Sequence, residues 1–400
     1  MAGKDAKEKM ELQSSRSMVK EIMGEYAERT GLSPAAEKQR RYLWTDAFAV
    51  CNFLELYRQT GDENYKQLAL LLVDQVHHVL GRHRDDDPRS GWISGLDEQN
   101  GEMHPTAGGL RIGKDMNERR PDDPYDERLE WDRDGQYYHY LTKWMHALNQ
   151  VARATGDSAY TRWAIELAKS AHARFTYVPS FGDQKRMYWK MSVDLSYPLV
   201  SSMGHHDPLD GFITYLQLRA AAAKASGTSA MPDLGPEITD MARICQGKSW
   251  ATDDPLGIGE LLSAAYRLAQ LIANEGGDLA DLLDALLNAC RMGLQSFERG
   301  NALTLPADYR LAFRELGLSI GLHAAEKLRE LIEQTPRDFK MRNRLQSRME
   351  DMIRYAQLAG VIETFWLAPA NRQGEGWTGH RDINRVMLAT SLAPDRYLSL

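Results

Sequence analysis

Cysteine is almost missing from this chain: Cys51, Cys245 and Cys290 are the three present in 400 residues, an odd number, widely separated and without C-x-x-C spacing. That rules out a disulfide framework and a thiolate metal cluster, and predicts buried, reduced thiols. Long apolar runs are lacking too. The longest aliphatic stretch, Leu68 to Val73, is too short to cross a bilayer, and Met1 to Lys20 is charged throughout where a leader peptide carries an apolar core. A cytoplasmic protein with no membrane partner is expected. Positive charge is in deficit: 49 Lys and Arg face 56 Asp and Glu, for a formal net charge of −7 and a pI near 5.9. With no basic block to meet phosphates, nucleic acid is not an expected partner. There is no G-x-S-x-G elbow and no Walker sequence, and Gly108-Gly109-Leu110-Arg111-Ile112-Gly113 follows no strand pattern, so phosphate-cradle and hydride chemistry lack support and no cofactor is expected. β signals are few; Phe175 to Val178 and Met187 to Val193 read as a hairpin within a loop.

What the chain does have is a repeat. Thr60-Gly61-Asp62-Glu63-Asn64-Tyr65 returns as Thr155-Gly156-Asp157-Ser158-Ala159-Tyr160, each between two helical stretches. After each turn the apolar residues keep to one face (Leu68, Leu72, Val76 and Leu80; Trp163, Leu167, Ala171 and Phe175), so these helices have one wet side. Before each turn, Phe48 to Tyr57 and Tyr137 to Val151 are apolar or aromatic nearly all round, the pattern of helices covered on every side. Continuing that alternation places inner helices near 45–60, 135–155, 208–226, 255–275, 308–333 and 381–393, and outer helices near 14–30, 64–81, 158–176, 236–246, 278–298 and 338–358. The expected fold is all-α, a single domain over 1–400 in which six inner and six outer helices close as an (α/α)6 toroid. Two long connections, 82–133 and 176–207, lead into inner-helix starts and should wall a cleft at that end.

Acidic residues gather where inner helices begin: Asp46, Glu130 with Asp132 and Asp134, Asp207 and Asp210, Asp253 and Asp254, Asp308, and Asp382. Asp207-Pro208 and Asp254-Pro255 match an aspartate cap followed by proline in the first turn, which makes capping the favoured reading for those two. Asp46, Asp132 and Asp382 sit instead among aromatic and basic groups, surroundings that shift proton affinity and mark sites. Trp44, Trp92, Trp131, Tyr137, Tyr138, Trp189 and Trp377 lie in the long connections or at helix starts, where flat rings suit a sugar's C–H faces as readily as they plug loops onto a core. His205-His206 and His380 precede inner helices, whereas His77, His78, His146, His172 and His323 read as packing or surface residues. His205, His206 and Asp207 lack the i, i+4 spacing of a helix-borne metal site, so no metal is expected.

The paired-helix period, the Thr-Gly-Asp-x-x-Tyr turns and the segment Glu130-Trp131-Asp132-Arg133-Asp134-Gly135-Gln136-Tyr137-Tyr138 resemble the six-hairpin glycosidase superfamily, a group similar in turn to N-acylglucosamine 2-epimerases and sugar isomerases. The resemblance implies a small carbohydrate substrate held where the inner helices begin. Glycoside hydrolysis needs two carboxyl groups flanking the scissile bond. The expected assignment is Asp132, raised in pKa by flanking rings, as general acid and Asp382 as base, with Asp46 as a substitute for either and Glu130 as a rival to Asp132. Trp44, Trp131, Tyr137, Tyr138, His206, Trp377, His380 and Arg381 would bind the sugar. The alternatives are an epimerase or isomerase moving protons through histidines such as His206 and His380, and a non-catalytic carbohydrate-binding toroid whose acids are caps.

Overall fold

The computed structural model describes residues 2–180, 182, 184–225, 231–335 and 339–400, with residues 2–12 described by their backbone alone. Positions 226 and 338, at the end of one expected helix and the start of another, and 181 and 183 in the second long connection, lie outside the described residues. The chain is mostly helical with a few short strands. It falls into two compact units, one formed by 27–57 and 62–248, the other by 1–26, 58–61 and 249–400.

Helices stand at the positions read as inner, namely Leu43–Thr60, Tyr138–Thr155, Asp207–Lys224, Pro255–Glu275, Ala312–Gln334 and Arg381–Leu392. Those read as outer are Ala2–Arg29, Glu63–Leu80, Ala159–Phe175, Gly235–Cys245, Ala280–Arg299 and Arg342–Ile353. Burial follows the alternation: Leu43 to Leu56 are all buried, whereas Glu63–Leu80 buries Ala69, Leu72, Val73, Val76 and Leu80 along one stripe. Two departures stand out. Gln357–Leu367 is a further helix, unanticipated because neither Gly nor Pro marks the break after Ile353. Asp308 lies in the 3-10 turn Ala307–Tyr309 ahead of the helix Ala312–Gln334 and not at its cap.

Each repeated turn works through local side chains. Asp62 accepts the Asn64 N–H at 3.0 Å, and Asp157 accepts the Ala159 N–H at 2.9 Å. Gly156 ends its helix at φ +77°, a conformation that costs a side-chain-bearing residue. The two long connections are not structureless. Thr176–Tyr177 pairs antiparallel with Arg186–Met187, so a hairpin exists there, and Lys190–Met191 pairs with both Gln136–Tyr137 and Pro198–Val200. This three-stranded sheet holds the chain just ahead of the helix Tyr138–Thr155. Lys190, wholly buried, fastens it by donating to the carbonyls of Glu130 (2.6 Å) and Arg133 (2.8 Å) and to the Glu130 carboxylate (3.0 Å).

In the second unit, Pro255–Glu275 and Ala312–Gln334 cross backbone to backbone: a Cβ on Gly259 would lie 2.0 Å from the Gly317 carbonyl oxygen. Arg310 forms a buried fork onto Glu315 (2.8 and 2.6 Å), whose second oxygen also accepts the Trp366 indole N–H at 2.8 Å. Among the described residues no helix is long and apolar enough to cross a membrane.

Candidate active site

In the first unit the starts of three helices meet. Tyr42, just ahead of Leu43–Thr60, shares a hydroxyl hydrogen bond of 2.8 Å with Tyr140, in the first turn of Tyr138–Thr155. On the other side of that turn, His139 Nδ1 faces Asp207 Oδ1, the first residue of Asp207–Lys224, across 3.7 Å. Rings enclose the imidazole: Tyr137 at 5.4 Å, Tyr140 at 4.9 Å and Trp189 at 6.4 Å between centroids, the last lying within 12° of parallel. Tyr137 lies on the strand Gln136–Tyr137 and Trp189 immediately precedes its partner strand Lys190–Met191, so the fold of the second long connection brings them together.

Asp207 is not a cap. His206 takes the cap position without a side-chain hydrogen bond, and Asp207 Oδ2 is buried with no hydrogen-bond partner; His139 Nδ1 is in the same condition. Leaving such groups unpaired costs on the order of 1–3 kcal/mol each, and two of them facing one another make the pair a candidate for a ligand or a shared proton. The Asp207 side chain is 7% exposed, while that of His139 stays 30% open to solvent. Burial, then the neighbouring charge of Asp210, pushes the Asp207 carboxyl up to about 7. Burial and Lys143 push the His139 imidazole down to about 4, so it is neutral at pH 7. Lys143 donates to Asp210 at 3.1 Å, and Thr142 donates to the same oxygen. Gly204 packs directly on Asp207, since a Cβ there would fall 2.3–2.5 Å from the carboxyl atoms.

The residues singled out from sequence are distributed as follows. Asp46 is buried, accepts the Tyr42 N–H at 3.0 Å and lies 3.8 Å from Arg41. Glu130 is buried between Lys190 (3.0 Å) and Arg119 (3.1 Å). Asp132 is exposed and Trp131 is 50% exposed, so the rings expected around Asp132 do not enclose it. Trp131 does lean edge-on against Trp189 at 5.1 Å, which keeps it at the rim of the ring cluster. Trp44 is buried between Phe48 and Tyr140, and Tyr138 donates its hydroxyl to Tyr215 at 2.8 Å inside the helix packing. His206 is tilted against His205, with ring centroids 4.6 Å apart and planes at 51°. Asp382, Trp377, His380 and Arg381 belong to the second unit: Trp377 is buried against Trp366 (5.7 Å, 24°), His380 meets Phe313 edge-on at 5.5 Å, and Arg381 and half-buried Asp382 open the last long helix.

His139 drew no attention in the sequence because it sits inside a run that reads as an apolar inner helix. Its one signal is its place two residues after Tyr137, at the start of that helix. Among the described residues no three His, Cys, Asp or Glu side chains converge as a metal site.

No family model matches the chain, and no curated protein matches it. Among solved structures it is similar to a sugar epimerase from a ruminal bacterium, at 10% identity over 78% of this chain and 75% of that one, with a TM-score of 0.42. It is similar to an unsaturated glucuronyl hydrolase specific for heparin, at 12% identity over 72% and 83% of the two chains, TM-score 0.34. A polysaccharide lyase covers more, 97% of this chain and 98% of that one, at 12% identity and TM-score 0.34.

Proposed function

We propose that this protein is a carbohydrate-active enzyme that transfers protons at a sugar carbon next to a carbonyl, an epimerase or isomerase, with His139 as the acid–base group and Asp207 positioning it. The carrying observation is the pair of buried, unpartnered atoms, His139 Nδ1 and Asp207 Oδ2, at a junction lined by Tyr137, Tyr140 and Trp189. An ionised Asp207 accepts the Nδ1–H and leaves Nε2 as a base; a protonated Asp207 donates to Nδ1 and leaves the proton on Nε2, an acid. A carboxyl near pKa 7 lets one imidazole take a proton from one carbon and return it to the neighbouring carbon, the two halves of an isomerisation; epimerisation needs in addition that the intermediate turn its other face to the same imidazole. The carbohydrate assignment rests on the ring-lined polar junction and on the resemblance in the helix turns and the Glu130 to Tyr138 segment. The alternating helices are proposed to close as an (α/α)6 ring.

A second reading, glycoside hydrolysis, is favoured by Asp210, a carboxylate held by Lys143 and Thr142 one turn along from the protonated Asp207. The test follows free aldoses in D2O by proton NMR, with aryl glycosides and unsaturated uronyl disaccharides alongside, for wild type, His139→Gln, Asp207→Asn and Asp132→Asn. Deuterium entry beside the carbonyl that is lost in His139→Gln and kept in Asp132→Asn supports the epimerase. Glycoside cleavage that survives His139→Gln and is lost in Asp207→Asn selects the hydrolase. Turnover that depends on Asp132 alone overturns the site.

A further inference from the structure

A second feature of the first unit carries chemistry that proton transfer leaves unused. Tyr177, Gln184, Lys185, Arg186, Ser201, Ser202, Met203 and Lys248 line a pocket of about 360 Å³. Three cationic side chains and three hydroxyls line it, with no carboxylate among the described lining residues, in a chain whose net charge is −7. Lys185 is engaged with Asp240, which His172 also meets at 3.2 Å. Arg186 and Lys248 have no ion-pair partner among the described residues. Among the described residues no carboxylate pairs with either side chain, and positive charge held in this way raises the local concentration of anions and lowers the cost of seating one. Tyr177 stacks flat on Tyr188, with ring centroids 4.1 Å apart and planes within 10°, which gives the pocket a rigid aromatic edge.

The pocket also has an address. Its wall Ser201-Ser202-Met203 runs straight into Gly204, whose backbone packs on the Asp207 carboxyl. Consecutive Cα atoms are about 3.8 Å apart, so one short loop serves both the pocket and the acid. The volume lies near the lower end of the roughly 300–1,000 Å³ usual for ligand sites, the scale of a monosaccharide and not of a polymer chain.

We infer that this pocket seats the oxyanion of an anionic sugar, a phosphate, sulfate or carboxylate carried on the substrate, with Arg186 and Lys248 as the charged contacts and Ser201 and Ser202 as hydroxyl donors. The inference rests on the carbohydrate reading of the Asp207 junction for the word sugar; the oxyanion part stands on the pocket.

The test is calorimetric titration at low ionic strength, where surface charge is least screened. The probes are inorganic phosphate, inorganic sulfate, glucose 6-phosphate, glucuronate and glucose. The proteins are wild type, the double variant Arg186→Gln/Lys248→Gln, and His139→Gln. The expected result is saturable binding of at least one oxyanion, weakened tenfold or more in the double variant and unchanged in His139→Gln. Anionic sugar bound more tightly than the matching inorganic ion assigns the pocket to substrate; inorganic ion bound more tightly overturns the sugar assignment. Equal binding by wild type and the double variant, or no saturable oxyanion binding, overturns the pocket. Because His139→Gln abolishes the proposed proton transfer and leaves the pocket intact, a failure here and a failure of the catalytic reading give different results.

Discussion

Asp207 is held in a state that folding does not favour. A carboxyl that ionises near 3.8 in an unfolded chain ionises here only near 7, so the native state must hold a proton or carry a buried charge. Gly204 closes over it because any larger residue would collide with the carboxyl. The consequence for activity has a definite sign. In the proposed reaction proton abstraction needs the ionised Asp207, so its rate should rise with pH through about 7, and that limb should vanish in Asp207→Asn while a reduced, pH-independent rate remains. A pH profile of kcat/KM for isotope exchange reads this directly. A limb that persists at the same pH in Asp207→Asn would assign it to another group.

Two Asp-Pro pairs, alike in sequence, do opposite things at the ends of their helices. Asp254 caps Pro255–Glu275, accepting the Gly257 N–H at 2.9 Å while its other oxygen meets Arg314. Asp207 caps nothing. Losing a cap costs about 1 kcal/mol. A raised carboxyl pKa makes no difference below pH 3.8 and destabilises increasingly until pH passes about 7, by roughly 4 kcal/mol at most. Asp254→Ala should therefore lower stability at any pH, whereas Asp207→Asn should raise it at pH 8 by what the desolvated charge costs less the burial of an amide, and gain nothing near pH 4. Urea unfolding at both pH values distinguishes them; a destabilised Asp207→Asn at pH 8 would make Asp207 a structural residue. No local pattern separates the pairs, because what differs is the neighbour each meets: Arg314 for one, a neutral imidazole from another helix for the other.

At the scale of the whole molecule, the second unit has its own titrating tie. His323 meets Glu363 at 2.8 Å and Glu326 at 3.6 Å, and Ser319 and Ser391 donate to the same Glu363 oxygen, joining three helices. Burial works against its charge, but the two carboxylates outweigh it and hold His323 up to about 9. A folded pKa above the unfolded 6.5 gives stability that is complete below 6.5 and lost as pH climbs through about 9. Thermal melts from pH 6 to 9 should show a falling Tm, with a shallower fall in His323→Gln. An identical slope in the variant would remove His323 as the cause.

The sequence by itself determined the helices, their alternation between covered and half-covered, the two turns and the hairpin, because each follows from spacing along one strand of chain: a 3.6-residue stripe, a glycine beside an aspartate, a short β-branched run. It also singled out most of the aromatic rim and the acids at the helix starts. Tertiary structure alone decided what each acid meets. Glu130 meets Lys190 from sixty residues away and becomes a fastening, Asp132 turns to solvent, and Asp207 finds His139 across a helix junction. Proton affinity depends on burial and on the neighbours a side chain acquires only when distant segments pack together, and neither quantity is written in the spacing of residues along the chain.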